Sequence, residues 1–455
     1  MKKHIITIPK EYKYLGEVEH YTLDDKVINK KLELFNGIFN KRIPGSGGTT
    51  LVLKNNEKVI LVSPRNQLLI SKHLQTPDSL LINGEHKEDI KTYTDTVQCP
   101  KILTTYDSLY KVIKSVGSDI KDYHIIIDEF QMLLLDSGFK SEVEQNLIEL
   151  IKGLNVTFLS ATPLSKDCLT YLNEVFKDIE YYEVEYERPI EKIQIQRIET
   201  NNPIKAAENV LTTYYINNNP LKINDVESKE CVVFLNSVNN IIKIIKDLKL
   251  KPEEVNIICA DSTDNSNKIK KNLGSTFFIG YVPIKKEDNK KYTFVTSTAF
   301  EGVDFYSDNA ATFIVSDTTN EHTTIDIEFE LQQIIGRQRL ETNVFRKYPY
   351  LIYNSKKKRG DDFINEYLEQ MARAEKITES ELERLNSITD KDIIDYEIKK
   401  LYNLQKVTNY EESYTIYNEH LKKFVFNRCY KLNQLFKLDY YKSSLDGFYL
   451  YSAIN

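Results

Sequence analysis

The sequence contains no tryptophan and few of the residues from which metal sites and disulfide frameworks are built. Its five cysteines lie far apart, form no C-x-x-C pair, and are Cys99, Cys168, Cys231, Cys259 and Cys429. The seven histidines are equally scattered. This pattern argues against a zinc site, a disulfide framework or another metal site made of protein ligands alone, and it favours a reducing, cytoplasmic setting.

Long apolar runs are also absent. A membrane span needs about 18 consecutive apolar residues, so neither a span nor a membrane partner is expected. The segment Met1–Pro9 has basic residues but no apolar core or cleavage site, which predicts a first strand rather than a signal peptide. The net charge of −6 argues against a protein that coats nucleic acid, although a protein that binds nucleic acid in one groove needs only a local basic surface.

The chain of 455 residues is too long for one compact core. Residues 1–188 and 189–357 alternate β-branched apolar runs with helical patterns, which predicts two α/β domains with parallel sheets. The predicted strands are Val59–Ser63, Lys101–Thr105, His124–Asp128, Val156–Ser160, Glu230–Leu235, Val255–Ala260, Tyr292–Ser297 and Ala311–Ser316. Residues 358–455 lack β-type alternation and show helical spacing of apolar residues, which predicts a helical C-terminal accessory domain. These spaced residues are Ile394, Ile398, Leu401 and Leu404.

A glycine-rich segment precedes a short helical run in the first domain. It reads Pro44, Gly45, Ser46, Gly47, Gly48, Thr49 and Thr50. Such a turn points several backbone N–H groups at one place, where the helix dipole also favours an anion, so the segment is a candidate phosphate-binding loop. Thr49 occupies the position at which the Walker A motif places its Mg²⁺ ligand, whereas Gly48 stands where that motif has lysine. Taken alone, the segment is better interpreted as a plain turn.

Two adjacent acids follow an apolar strand at Ile125–Gln131. This arrangement is typical of a Walker B element. Asp128 can hold a Mg²⁺ ion, and Glu129 can orient the attacking water or take its proton. A strand that happens to end in two solvated acids is the simpler interpretation of this match by itself.

The order of further motifs supports the interpretation of these two segments as Walker A and Walker B elements. The tetrad Asp128-Glu129-Phe130-Gln131 and the later Ser160-Ala161-Thr162 resemble motifs II and III of superfamily 2 helicases and translocases. Motifs Ia and Ic precede them, around Arg65 and Thr105. Motifs IV, V and VI come after them, at Val232–Ser237, Thr296–Asp304 and Gln333–Arg339, so that all stand in the family's order. Seven ordered motifs cover about two thirds of the chain, and their assembly by chance is far less plausible than any single match.

The resemblance implies two tandem RecA-like domains of the P-loop NTPase type, with ATP and Mg²⁺ bound between them. It implies that Gln333, Arg337 and Arg339 act on the γ-phosphate from the second domain. Gly302 and Asp304 of motif V would also serve the nucleotide. By the same resemblance, residues that couple the nucleotide site to the track are Gln131, Ser160 and Thr162, and residues that hold phosphates of the nucleic acid are Arg65, Thr105, Ser237 and Thr298.

The missing lysine at Gly48 leaves three interpretations open. Another cation (Lys54, Lys41 or Arg42) could serve the site, the protein could bind nucleotide with little turnover, or it could be a binding protein that retained a motor fold. We expect an ATP-dependent helicase or translocase, with a pseudo-helicase that binds nucleotide and nucleic acid as the alternative. A P-loop ATPase of another purpose is a third hypothesis, disfavoured by motifs Ia, IV and V.

The D-E-x-Q tetrad and the short motif VI do not match the D-E-A-D set of RNA helicases, so DNA, single-stranded or duplex, is favoured over RNA as the track. Replication or repair proteins are expected partners of the C-terminal domain. The abundance of Lys, Asn, Ile and Tyr suggests an AT-rich genome, and a phage or a mobile element is one interpretation of the source.

Overall fold

The structure is a computed structural model that describes thirteen stretches of the chain. They are residues 1–82, 90–130, 132, 147–161, 166–188, 193–217, 219–283, 286–300, 303–325, 330–354, 361–404, 415–418 and 422–427. These residues form two compact units. The first holds the described residues within Met1–Leu69, His73–Arg188 and Arg359–Asp446, and the second holds those within Ile70–Lys72 and Pro189–Lys358.

The first unit is built on a ten-stranded sheet. Its strands are β1 (Lys3–Ile8), β2 (Tyr21–Leu23), β3 (Lys26–Ile28), β4 (Gly37–Asn40), β5 (Val59–Ser63), β6 (Leu80–Ile82), β7 (Lys101–Thr105), β8 (His124–Asp128), β9 (Val156–Ser160) and β10 (Tyr181–Tyr186). Their order is β3-β2-β1-β10-β4-β9-β8-β5-β7-β6. The eight strands β1-β10-β4-β9-β8-β5-β7-β6 pair in parallel with their neighbours, and β2 and β3 extend the sheet beyond β1 as antiparallel strands.

Strands β4, β5, β7, β8 and β9 are buried along their whole length. Continuous burial requires cover on both faces, which explains why their sequences are apolar runs rather than alternating patterns. The helices of this part of the chain are α1 (Gly48–Leu53), α2 (Asn66–Gln75), α3 (Ile90–Thr96), α4 (Leu109–Val116) and α5 (Lys166–Phe176). The prediction of a parallel α/β sheet is confirmed, and so are the first strand predicted within Met1–Pro9 and the other four strands predicted in this half.

The second unit is a six-stranded parallel sheet. Its strands are β11 (Gln196–Glu199), β14 (Glu230–Phe234), β15 (Val255–Ile258), β16 (Tyr292–Val295), β17 (Ala310–Ser316) and β18 (Tyr350–Tyr353), with a small hairpin of β12 (Lys222–Ile223) and β13 (Val226–Glu227). The order in the sheet is β11-β18-β17-β14-β16-β15. Its helices are α6 (Pro203–Leu211), α7 (Val238–Asp247), α8 (Thr263–Leu273) and α9 (Gln332–Ile335).

Both faces of this second sheet are covered by apolar side chains. Cys231 and Val233 of β14 pack in one apolar cluster, whereas Val232 and Phe234 pack in another. Because successive side chains of a strand point to opposite faces, the two clusters lie on opposite sides of the sheet. The prediction of a second parallel α/β unit is therefore confirmed.

The C-terminal part contains α10 (Asp361–Asn386), α11 (Lys391–Leu404) and an antiparallel hairpin of β19 (Thr415–Asn418) and β20 (Lys423–Phe426). Helix α11 contains the apolar residues whose spacing predicted it. The hairpin differs from the expectation that this segment has no β structure. Its contacts are tertiary: Asn386 at the end of α10 binds both the N–H and the C=O of Phe424 at 2.8 Å.

None of the described helices is both long enough and apolar enough to cross a membrane.

Candidate functional site

The predicted site residues of the first unit that the structure describes lie at one edge of its sheet. Strands β4, β9, β8, β5 and β7 are consecutive neighbours that run in parallel. At or directly after their carboxyl ends lie Lys41, Ser160, Asp128, Ser63 and Thr105, in the same order. In parallel α/β sheets, ligands bind at this edge, because loops and helix N-termini converge there.

The glycine-rich segment forms a tight loop that leads into α1. Gly45 and Gly47 have φ angles of 75° and 88°, in the left-handed region that glycine adopts without strain. Ser46 is 2% exposed, its carbonyl accepts from the Leu15 N–H at 2.8 Å, and its hydroxyl lies near the Tyr186 phenol. The backbone hydrogen bonds of Ser46 thus hold the loop directly ahead of α1, where the predicted phosphate-binding loop would lie.

Thr49 and Asp128 are joined directly. The Thr49 hydroxyl donates to Asp128 Oδ2 at 3.1 Å, and Asp128 Oδ1 accepts from the Glu129 N–H at 3.1 Å. All three residues are buried. A hydroxyl and a carboxylate oxygen held side by side are ligands of the kind that Mg²⁺ prefers when nucleotide phosphates and water complete its shell. The residues present thus fit the predicted metal, and Thr50 follows them in the first turn of α1.

A lysine joins this pair of acids. Lys41 Nζ lies 3.8 Å from Asp128 Oδ1 and 3.8 Å from Glu129 Oε1, and its side chain is 6% exposed. From the sequence, Lys41 was one of three alternatives for the missing cation and was not among the predicted site residues. The available signal was its position directly after a buried strand and ahead of the glycine-rich loop.

The backbone at the two acids is held by a tyrosine. Tyr106 is 6% exposed, and its hydroxyl donates to the carbonyl of Asp128 at 3.0 Å, with the carbonyl of Glu129 at 3.4 Å. Glu129 itself has a φ of 50°, which is uncommon for a residue other than glycine. Tyr106 directly follows Thr105 of motif Ic, but nothing in the sequence brings it to Asp128, so the sequence alone assigned it no role.

The other predicted residues of this unit lie along the same edge. Thr105 ends β7 and is 8% exposed. The N–H of Arg65 donates to the Ser63 hydroxyl at 3.4 Å at the end of β5, and the carbonyl of Ser160 accepts from the Lys41 N–H at 2.8 Å. Gln131 and Thr162, predicted to couple nucleotide and track, lie outside the described residues.

In the second unit, Ser237 and Thr298 line one open pocket of about 310 Å³. The pocket lies at the carboxyl edge of β14, β15 and β16. Its other lining residues include Asn236, Asn265, Lys268 and His322. Sequence reasoning gave these four residues no individual role, although Asn236 lies within the quoted motif IV.

The pocket wall is held together by side chain to backbone contacts. Ser237 caps α7 by accepting from the Asn240 N–H at 3.3 Å. Asn236 bridges two loops, since its Oδ1 accepts from the Ser297 N–H at 3.1 Å and its Nδ2 donates to the His322 carbonyl at 2.8 Å. The pocket is thus lined by hydroxyls, amides and one lysine, a set that suits the oxygens of a phosphodiester.

The motif VI residues gather around Asp304. Arg337 is 3% exposed and donates from Nε to the Gln333 carbonyl at 2.7 Å, from Nη1 to the Val303 carbonyl at 3.3 Å and from Nη2 to Gln333 Oε1. Arg339 Nε donates to Asp304 Oδ1 at 2.6 Å. Gly302 lies outside the described residues.

Electrostatics fixes the charge of Asp304. Burial raises the pKa of this carboxyl, but Arg339 and Arg337 outweigh it, so that the pKa of Asp304 lies below its ordinary value. Arg339, with a side chain 21% exposed, is more accessible than Arg337, at 4%. The structure thus brings Gln333, both arginines and Asp304 into one ion-paired cluster.

Comparison with known proteins gives matches to solved structures only. No protein-family model matches the chain, and no curated protein matches it. Similar solved structures include the Mycobacterium smegmatis helicase Lhr bound to ssDNA and AMP-PNP, at 12% identity with a TM-score of 0.45, covering 70% of this chain and 44% of that one. They also include S. cerevisiae Dbp5 bound to RNA and ADP BeF3, at 13% identity, a TM-score of 0.47 and coverage of 70% and 79%. A third is Mss116p bound to ssRNA and AMP-PNP, at 14% identity, a TM-score of 0.43 and coverage of 83% and 79%. This chain thus spans less than half the length of the Lhr chain.

Proposed function

We propose that this chain is an ATP-dependent helicase or translocase of superfamily 2, in which hydrolysis of ATP drives movement along a nucleic acid, with DNA favoured over RNA. The observation that carries the proposal is the buried cluster of Thr49, Asp128, Glu129 and Lys41 at the carboxyl edge of the first sheet. It lies beside a glycine-rich loop that leads into a helix. A structural ion pair alone would need neither the loop nor the second acid.

Each residue of the cluster has a chemical role in this proposal. The backbone N–H groups of the loop would hold the phosphates, and Thr49 and Asp128 would hold the Mg²⁺ ion, which would offset phosphate charge. Water attacks the γ-phosphorus while the bond from that phosphorus to the β–γ bridging oxygen breaks. Glu129 takes the proton of the water, and the bond electrons remain on ADP. By the resemblance of motif VI, Gln333, Arg337 and Arg339 would supply positive charge and hydrogen bonds to the phosphates.

The residues proposed to bind nucleic acid are Ser237 and Thr298, which line the pocket of the second unit, and Arg65 and Thr105 of the first unit. Hydroxyl and amide groups bind phosphates without reading bases, as a motor that moves along any sequence requires. The preference for DNA rests on the D-E-x-Q tetrad and the spacing Q-x-x-G-R-x-R in Gln333–Arg339.

One observation favours a second candidate function. Gly48 supplies no cation to the phosphate loop, so the chain could be a pseudo-helicase that binds nucleotide and nucleic acid with little turnover. In that case Glu129 would have no proton to accept, and its buried position beside Asp128 would serve no reaction.

The deciding experiment measures Mg²⁺-dependent ATP hydrolysis alone and with single-stranded DNA, duplex DNA and RNA. We expect turnover that one nucleic acid stimulates and that falls about 10²–10⁴-fold in Glu129→Gln, because the variant loses its proton acceptor. Glu187→Gln, at an exposed position of the same unit, is the matched control and should behave as wild type. Arg337→Ala and Arg339→Ala should both lose turnover, and thermal melting separates lost chemistry from lost folding.

Wild-type chain that binds ATP but hydrolyses none of it on any nucleic acid would refute the motor and establish the pseudo-helicase. Turnover that is indifferent to every nucleic acid would instead indicate a P-loop ATPase of another purpose.

A further inference from the structure

Lys41 is held rigidly by its backbone at the entrance of the glycine-rich loop. Its N–H donates to the Ser160 carbonyl at 2.8 Å, and its carbonyl accepts from the Ile43 N–H at 2.7 Å and from the Tyr186 hydroxyl at 3.2 Å. The side chain then runs through buried space to end between the carboxylates of Asp128 and Glu129. At 3.8 Å from each of them, the ammonium pairs with their charge without forming a short hydrogen bond to either.

The Lys41 side chain passes beside Gly48, close to where a side chain at position 48 would lie. A Cβ added at Gly48 would lie 3.4 Å from Lys41 Cδ and 3.3 Å from Leu159 Cδ2. The φ of Gly48 is outside the left-handed region, unlike that of Gly47, so the backbone conformation does not demand glycine there. What Gly48 leaves open is room beside the stem of Lys41. The absence of a side chain at position 48 therefore leaves room for the buried stem of Lys41.

The other two candidate cations are placed differently. Lys54 lies at the end of α1 and is exposed. Arg42 is half exposed, with Nη1 3.2 Å from Glu183 Oε1. Lys41 alone of these three combines burial with proximity to both acids.

We infer that Lys41 is the phosphate-binding cation of the nucleotide site, in place of a lysine at position 48. The inference rests on the proposed function. Without nucleotide, the Lys41 ammonium is paired with both Asp128 and Glu129. When ATP and its metal ion bind, the ammonium moves to the β- and γ-phosphate oxygens and offsets the charge that collects on the β–γ bridging oxygen as the bond to the γ-phosphorus breaks. Lys41 touches the reacting groups in this role and is a catalytic residue.

The test has to separate this role from a structural one, because removal of Lys41 also leaves two buried acids without their cation. The Glu129→Gln background removes one of those charges and blocks hydrolysis, so ATP affinity can be measured at equilibrium. A fluorescent ATP analogue with Mg²⁺ is titrated into Glu129→Gln, into Glu129→Gln with Lys41→Met, and into Glu129→Gln with Lys54→Met as the matched control. Methionine keeps the unbranched stem beside Gly48 and removes only the charge.

We expect Lys41→Met to weaken ATP binding about 10- to 100-fold in this background, as the loss of one hydrogen bond to a charged group implies. Lys54→Met should bind as its parent does. Lys41→Arg, which retains the charge, should lie between the parent and Lys41→Met. Thermal melting of each variant confirms that the comparison concerns folded protein.

Equal ATP affinity with and without Lys41→Met would overturn the inference and leave the proposed function standing, because Lys41 would then neutralise the acids only. Stronger ATP binding in Lys41→Met would overturn it as well. Failure of the Glu129→Gln parent to bind ATP at all would refute the proposed function itself, and the two failures are therefore distinguishable.

Discussion

The hydrogen bonds of Tyr106 allow one prediction to be worked out in energy. The Tyr106→Phe variant removes a buried hydroxyl that binds the carbonyls of Asp128 and Glu129 at 3.0 and 3.4 Å and keeps the ring that fills the same space. Loss of a buried hydrogen bond whose acceptor stays buried costs about 1–3 kcal/mol. For a unit of this size, about 2–4 °C of Tm corresponds to each kcal/mol, so the melting temperature of the first unit should fall by about 2–12 °C.

The same substitution should affect catalysis more than it affects stability. Glu129 adopts a φ of 50°, an uncommon conformation that persists only where its surroundings hold it. Without the Tyr106 hydroxyl, the carboxylate is placed less well for the attacking water, and a small misplacement of a catalytic group costs about 10²-fold in rate. We therefore expect kcat to fall by about 10- to 100-fold while the KM for ATP changes little. Stimulation by nucleic acid should fall too, because Tyr106 directly follows Thr105, which is predicted to hold a phosphate of the nucleic acid.

The assay is steady-state ATP turnover with and without the stimulating nucleic acid, combined with thermal unfolding. Tyr110→Phe is the matched control, since Tyr110 lies on the neighbouring helix and is 50% exposed. A Tyr106→Phe variant that melts and hydrolyses ATP as wild type does would refute the reasoning, because it would mean that the hydroxyl supports neither the fold nor Glu129.

Two further predictions concern the second unit. Lys268→Ala removes the lysine that lines the pocket of Ser237, so it should weaken nucleic-acid binding and reduce by about one the slope of log affinity against log salt concentration. Lys270→Ala on the same helix is the control and should leave that slope unchanged. Equal slopes for the two variants would exclude this pocket from the nucleic-acid binding surface. Because Arg339 and Arg337 hold the pKa of Asp304 below its ordinary value, their pairing with it stabilises the fold above about pH 4, and this stabilisation is lost as the pH falls further. Asp304→Asn should therefore lower the Tm at neutral pH and flatten its dependence on acid pH, and a wild-type slope in the variant would contradict the assignment.

Much of the architecture was predictable from local patterns. The strands β5, β7, β8 and β9 coincide with the predicted ranges, because an apolar β-branched run that is buried on both faces is recognisable without knowledge of its neighbours. The glycine-rich loop and the Asp128–Glu129 pair were also recognisable, since each needs only adjacent residues. The hairpin of β19 and β20 was not predicted, and the structure shows it bonded to Asn386 of a distant helix.

The sequence by itself determined which residues end the parallel strands, and hence which side chains reach the edge of each sheet. Only the tertiary structure decided how those side chains meet. Lys41 and Asp128 are 87 positions apart and Tyr106 and Asp128 are 22 apart, yet the strand order brings all three to one place. Strand order and side-chain direction depend on how distant segments pack, and this packing leaves no mark in local spacing. For that reason the sequence could show that a lysine was missing at position 48, and only the fold could show Lys41 beside the space at Gly48.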